Sequence, residues 1–140
     1  MNFVIDNSVV MRWFFGDGKP QDLRYARGVL DAMQTANAIV PSVWGLEIAN
    51  VISRAEAQGL VTEARSEVFL EMLIGLAIEV DRGGVDLSLS STLNLARRYK
   101  LSSYDASYLE LALRQGVALA TLDADLRKAA KKAGVVIFQI

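Results

Sequence analysis

Four carboxylates stand where a strand end or a first helical turn would hold them at one rim of a fold: Asp6, Glu47, Asp105 and Asp123. Asp6 closes the apolar run Phe3-Val4-Ile5, and Asp123 follows the apolar run from Val117 to Ala120, so each puts a charge at the end of a buried strand. In an open parallel sheet the crevice beyond the carboxyl ends of the strands is where ligands sit. Glu47 interrupts the helical stripe Trp44, Ile48, Val51, Ile52, Ala55. Left unpaired on that face it would cost about several kcal/mol, so it requires a cation, an arginine such as Arg54 or Arg12, or a water-filled cleft. Asp105 falls in the first turn of a helix opened by Ser102 and Ser103, where free amides and the helix dipole keep a carboxylate ionised. Structural readings stand beside these: Asp6 capping the next helix, Asp105 steadying a helix end. Asp125 is a candidate cap for the last helix, and Ser8 and Thr121 bring hydroxyls close to the strand-end acids.

The composition restricts the chemistry further. The 140 residues contain neither histidine nor cysteine, which removes histidine general bases, Ser-His-Asp and Cys-His nucleophiles, thiolate metal sites and disulfides. Carboxylates, hydroxyls, Lys, Arg and Tyr remain, so a metal bound here is hard and held by oxygen. A net charge of −1 gives no global attraction to nucleic acid, so such a partner requires a local basic patch. With 52% hydrophobic residues and a mean hydropathy of +0.26, the chain can bury a substantial core as one domain. Its apolar runs are far shorter than the ~18 residues of a membrane span, and no secretory leader is evident, so a cytoplasmic protein with no membrane partner is expected.

The elements that must position the acids alternate. Strands are expected over Phe3–Ile5, Ala38–Val40, Ile78–Val80, Gly116–Ala120 and Val135–Ile140. Helices are expected from Val9, over Gln21–Thr35, over Val43–Gln58 with Ser42 as cap, over Thr62–Leu76 with Ala64, Val68, Met72 and Leu73 inward, over Leu87–Arg98, from Ser103, and over Leu126–Ala133. The result is an α/β fold with a mostly parallel central sheet of about four or five strands flanked by helices.

The order Val-Ile-Asp-Asn-Ser, Trp-Gly-Leu-Glu-Ile-Ala-Asn-Val, Tyr-Asp-Ala-Ser-Tyr-Leu-Glu-Leu-Ala and Leu-Ala-Thr-Leu-Asp-Ala-Asp-Leu resembles the PIN-domain ribonucleases, above all their small VapC-type toxins. The resemblance spans essentially the whole chain. It implies a PIN-like three-layer fold forming a single nuclease domain over residues 1–140, with Asp6, Glu47, Asp105 and Asp123 as catalytic, metal-binding acids. It places Asp125 as an auxiliary ligand, with the choice between Asp123 and Asp125 open, and Ser8 and Thr121 as supporting hydroxyls. It further implies Mg²⁺ or Mn²⁺ as cofactor, RNA as substrate, a cognate antitoxin protein and a homodimer. The charge arithmetic agrees: like carboxylates about 4 Å apart repel by up to ~4 kcal/mol per pair at an effective dielectric near 20, so a four-acid cluster demands cations. The chemistry is then phosphodiester hydrolysis by metal-activated water.

The alternative within the fold is a catalytically silent PIN-like module that only binds RNA or a protein partner. A receiver domain would need paired acids near the N-terminus and a lysine at the late strand end, and a haloacid-dehalogenase-like phosphatase would need an aspartate where Ser8 stands. Two basic groups, Arg97, Arg98 and Lys100, and Arg127, Lys128, Lys131 and Lys132, are each candidates to track an RNA backbone. Trp13, Phe14, Phe15, Trp44, Phe69, Met72 and Leu73 exceed what one small core needs. They suggest a groove from residues 9 to 15 and 43 to 74 that takes an amphipathic antitoxin helix, which could also set a cation among the acids.

Overall fold

The computed structural model of the chain describes residues 1–140. Four short strands, β1 (Asn2–Ile5), β2 (Asn37–Pro41), β3 (Ile78–Asp81) and β4 (Ala118–Ala120), pair in the order β3-β2-β1-β4, all parallel. Alternation along β1 and β2 divides the core. Phe3, Ile5, Ala38 and Val40 face one apolar cluster, whereas Val4 and Ile39 face the other. A strand that must be apolar on both faces reads as a continuous hydrophobic run, which is what Phe3-Val4-Ile5 is.

The first cluster is closed by α1 (Asn7–Phe15), α2 (Pro20–Ala32), α3 (Trp44–Ala57) and α4 (Glu63–Ile74). The second is closed by α5 (Leu93–Tyr99), α6 (Ser103–Gln115) and α7 (Ala124–Ala133). The molecule is thus a three-layer α/β fold with seven α-helices around a parallel sheet. The chain builds outward from β1 to β2 and β3, then returns to the other side of β1 as β4. That reversal leaves a crevice past the carboxyl ends of β1 and β4, and Asp6 and Asp123 follow those two strands.

Several expectations are corrected. The expected strand over Val135–Ile140 contracts to a single bridge between Ile137 and Leu119, because β4 offers only three residues and Phe138 turns inward to stack on Phe3 at 4.1 Å. The expected helix over Leu87–Arg98 breaks into a 3₁₀ turn (Val85–Leu87), a π-turn (Ser88–Thr92) and α5. Ser88 and Ser90 donate to the carbonyls of Val85 and Leu87, and such side-chain bonds compete with the helical ladder. On α4, Ala64, Val68 and Met72 point outward while Ser66, Phe69 and Leu73 are buried. Phe69 decides that rotation by stacking on Phe14 with ring centres 4.5 Å apart, so it is core and not surface. Ser42 makes no cap: Val43 holds that position before α3. No helix is long and apolar enough to cross a membrane.

Candidate active site

Asp6 occupies the N-cap position of α1 yet makes no capping bond, so the capping account of this residue fails. Its side chain is 5% exposed, and its Oδ2 accepts from Ser8 Oγ (2.7 Å) and Thr121 Oγ1 (2.8 Å). Each hydroxyl in turn accepts from a backbone amide of the β4–α7 turn, Leu122 N on Ser8 and Asp123 N on Thr121. A hydroxyl has one proton, and with amides on their lone pairs both protons are directed at Asp6. The carboxylate is thereby fixed between the ends of β1 and β4, which Asp6 N also joins by donating to Ala120 O. Oδ1 has no side-chain donor.

Glu47 sits in the first turn of α3, half-buried, with no cation beside it. Arg12, one of the two expected partners, pairs with Asp17, and Arg54 is exposed and unpaired. The carboxylate is held by neutral donors instead, Tyr108 Oη at 2.6 Å and Asn7 Nδ2 at 3.2 Å, both on Oε1, which leaves Oε2 without a hydrogen bond. Asn7 reads in the sequence only as part of the turn after Asp6, and Tyr108 does not stand out at all. Tyr108 lies three residues after Asp105, on the same face of α6, and that spacing was the available signal.

Asp105 is positioned by the cap of α6, where Ser102 Oγ accepts from Asp105 N at 3.0 Å. Asp123 caps α7, its Oδ1 accepting from Leu126 N at 2.8 Å, so the helix begins at Ala124 and the cap expected of Asp125 belongs to Asp123. Arg127 turns inward: its Nε donates to Thr121 O at 2.7 Å and its guanidinium lies over the Tyr25 ring, which takes it out of the expected basic ridge.

Burial raises the pKa of Asp6 above the usual carboxylate range, and the charge of Asp123 adds to that. Burial likewise raises Glu47, with Asp6 and Asp105 contributing. Asp105 is pushed up to about 6 by burial and by the charges of Asp6, Asp123 and, more weakly, Asp125. The four predicted acids therefore share one electrostatic neighbourhood, with Asp125 at its margin. None of them has an ion-pair partner.

As the side chains stand, no three carboxylates form a ready metal-ligand group. The donor chemistry nevertheless fits a hard divalent cation. The site offers only oxygen ligands, leaves Glu47 Oε2 free, and contains a buried acceptor, Asn7 Oδ1, with no partner.

The fold and this strand-end acid site define a class. The PIN domain family model matches residues 3–132, and the chain belongs to that family. Two solved structures share the fold. PAE2754 from Pyrobaculum aerophilum superposes with a TM-score of 0.70 at 19% identity, covering 98% of this chain and 92% of that one. FitAcB from Neisseria gonorrhoeae superposes with a TM-score of 0.59 at 17% identity, covering 98% and 96%. Among curated proteins no sequence match is found.

Proposed function

We propose that residues 1–140 act as one nuclease domain, a Mg²⁺- or Mn²⁺-dependent endoribonuclease and the toxin of a toxin-antitoxin pair in the cytoplasm. One observation supports this reading: acids from four elements act on one another's ionisation, Asp6 and Asp123 following β1 and β4, and no cation pairs with any of them. Acids kept unpaired at raised pKa are poorly explained as structure and well explained as ligands. Asp6, Glu47, Asp105 and Asp123 would hold the metal. Asp123 is preferred to Asp125 because its charge raises both Asp6 and Asp105, and at Asp105 it outweighs that of Asp125. A bound divalent ion would supply an acidified water and a counter-charge for the phosphate undergoing attack. Ser8 and Thr121 fix the orientation of Asp6, while Tyr108 and Asn7 fix Glu47, so that these carboxylates need little reorganisation.

The antitoxin reading is supported by an apolar groove of about 600 Å³ between α3 and α4, with Trp44, Ile48, Ile52, Leu73, Ile74 and Ile78 in its walls. Residues 9 to 15 do not line it, contrary to expectation. The same groove favours a second reading, a silent module that only binds RNA or protein. A homodimer would also cover exposed Leu46 and Ile74.

Thermal unfolding with and without Mn²⁺, paired with end-mapped cleavage of cellular RNA, tests the proposal. Wild type should gain melting temperature with Mn²⁺ and cut RNA. Asp6→Asn or Asp105→Asn should lose most of the gain and about 10²-fold or more of the activity. An equal metal response in these variants removes the assignment, and RNA binding without cleavage supports the silent module.

A further inference from the structure

Two basic segments that lie far apart in sequence meet in space. Arg98 and Lys100 at the end of α5 and Lys128 and Lys132 on α7 line one cleft of about 630 Å³, with Tyr99 in its wall and Asp125 at its margin. Four cations there oppose one carboxylate, in a chain whose net charge is −1. None of the four enters an ion pair. Lys128 and Lys132 are four residues apart and therefore present their ammonium groups on one face of α7. The helix they stand on is capped by Asp123, and Asp125 in its first turn lines the cleft, so the cleft and the Asp123 carboxylate share one end of α7.

Lys100 supplies an independent observation. It is the one non-glycine residue of the chain with positive φ (55°), as the left-handed cap of α5. The equivalent caps of α1, α6 and α7 are Gly16, Gly116 and Gly134. A β-carbon is strained in that conformation, and glycine is the residue that relieves it. Favourable interaction with the helix dipole does not require a lysine there, because Arg97 and Arg98 already lie in the last turn of α5. The chain thus keeps a cation at the mouth of the cleft where stability alone would select glycine.

We infer that this cleft binds the phosphate backbone of single-stranded RNA and leads the strand away from the acid site, with Lys100 retained for charge at the expense of backbone comfort. The inference rests on the nuclease reading for the identity of the polyanion, and on the cleft itself for its place. Flexible ammonium groups act as point charges toward phosphate, so the contacts are sequence-tolerant and salt-sensitive.

The test measures anisotropy of a fluorescein-labelled oligouridylate with the intact protein in EDTA across a potassium chloride series, so that binding is read without cleavage. The variants are Lys100→Gly, Lys128→Ala with Lys132→Ala, and, as a charge-matched control on a distant surface, Arg54→Ala. Lys100→Gly should raise the melting temperature and yet weaken binding, a combination that misfolding cannot produce. The salt slope should fall by about 0.7 for each phosphate contact removed, and the control should leave it unchanged. Unchanged affinity and slope in the cleft variants overturn the proposal, as does a slope that drops equally in Arg54→Ala. Wild type that ignores the oligouridylate but binds poly-glutamate also overturns it. The two readings separate cleanly. If the cleft variants lose binding while wild type fails to cleave RNA in Mn²⁺, the cleft stands and the hydrolase falls; if wild type cleaves while the cleft variants bind unchanged, the reverse holds.

Discussion

Asp6 and Asp81 hold equivalent topological addresses, at or just past the carboxyl ends of β1 and β3, parallel strands on either side of β2, and their fates are opposite. Asp81 meets Arg114, which also bonds Glu110 at 2.7 Å, and the guanidinium bridges the two carboxylates into a closed knot. The Arg114 hydrogen bonds hold Asp81 below the usual carboxylate range, and both carboxylates hold the guanidinium above its own usual value. Asp6 receives hydroxyl protons and no cation, and its burial moves its pKa the other way in spite of those bonds. One fold therefore contains acids satisfied by the protein and acids left for something else. The distinction lies in burial and in the partner, and not in the strand end.

The largest effect should come from opening the knot. Glu110 is 5% exposed, so Arg114→Ala strands a buried carboxylate beside a second one, and the loss should be about 3 kcal/mol in urea unfolding. Arg114→Lys should recover only part of this, since one ammonium cannot bridge as the planar fork does. Removing the charges together, with Asp81→Asn, Glu110→Gln and Arg114→Met, should return most of it. A cost under about 1 kcal/mol for Arg114→Ala would mean the knot is solvated and the contrast with Asp6 is overstated.

The second effect separates the two groups by pH. Asp105, raised to about 6, binds its proton more tightly in the folded state than in the unfolded chain. Its contribution is present in full below the unfolded value of about 4 and is lost as pH rises through 6, roughly 1 kcal/mol once solvent screening of a half-exposed group is allowed for. Asp81, lowered, behaves inversely: its contribution is present above about 4 and disappears as pH falls through its folded value. Metal-free protein should thus lose melting temperature on both sides of a maximum near pH 4 to 5. Asp105→Asn should make only the upper limb shallower, the rest of it belonging to Asp6 and Glu47, which burial also raises. An upper limb of unchanged steepness in that variant would assign the titration to Glu47 or Asp6 instead.

What could be read in the chain follows from where each signal lives. Buried parallel strands are legible because two apolar faces leave a continuous hydrophobic run, and Phe3-Val4-Ile5 and Ala38-Ile39-Val40 are such runs. The acids stood out because a carboxylate at the end of such a run or within an apolar stripe breaks a local pattern. The same signal was silent on Asp81, whose arginine lies 33 residues further along the chain. The face of α4 was misjudged because the helix is apolar on several sides and only the Phe14–Phe69 stack fixes its rotation. The serines that break the expected helix before α5 act through their own backbone, which hydrophobic periodicity does not register. The meeting of the two basic segments is tertiary, and no window along the sequence contains it.

The smallest effect concerns the neutral donors that hold Glu47 in place of a cation. Tyr108 is fully buried and its hydroxyl bonds Glu47 at 2.6 Å; burial first, and then that bond, raise the Tyr108 pKa, so the phenol stays protonated and donates. Tyr108→Phe keeps the ring and its packing but removes the donor, which should cost about 0.5–1 kcal/mol in metal-free unfolding. The Asn7 amide still donates to the same oxygen, so Glu47 should stay near its place. Because the lost bond also opposed protonation of Glu47, its proton should leave at higher pH, and Mn²⁺ should bind several-fold more weakly near pH 6 while recovering at pH 8. A purely packing role predicts the stability loss without the pH-dependent metal effect. Titration calorimetry of Mn²⁺ at the two pH values separates them: equal affinity in Tyr108→Phe and wild type at pH 6 would show that the hydroxyl serves the core and not the acid.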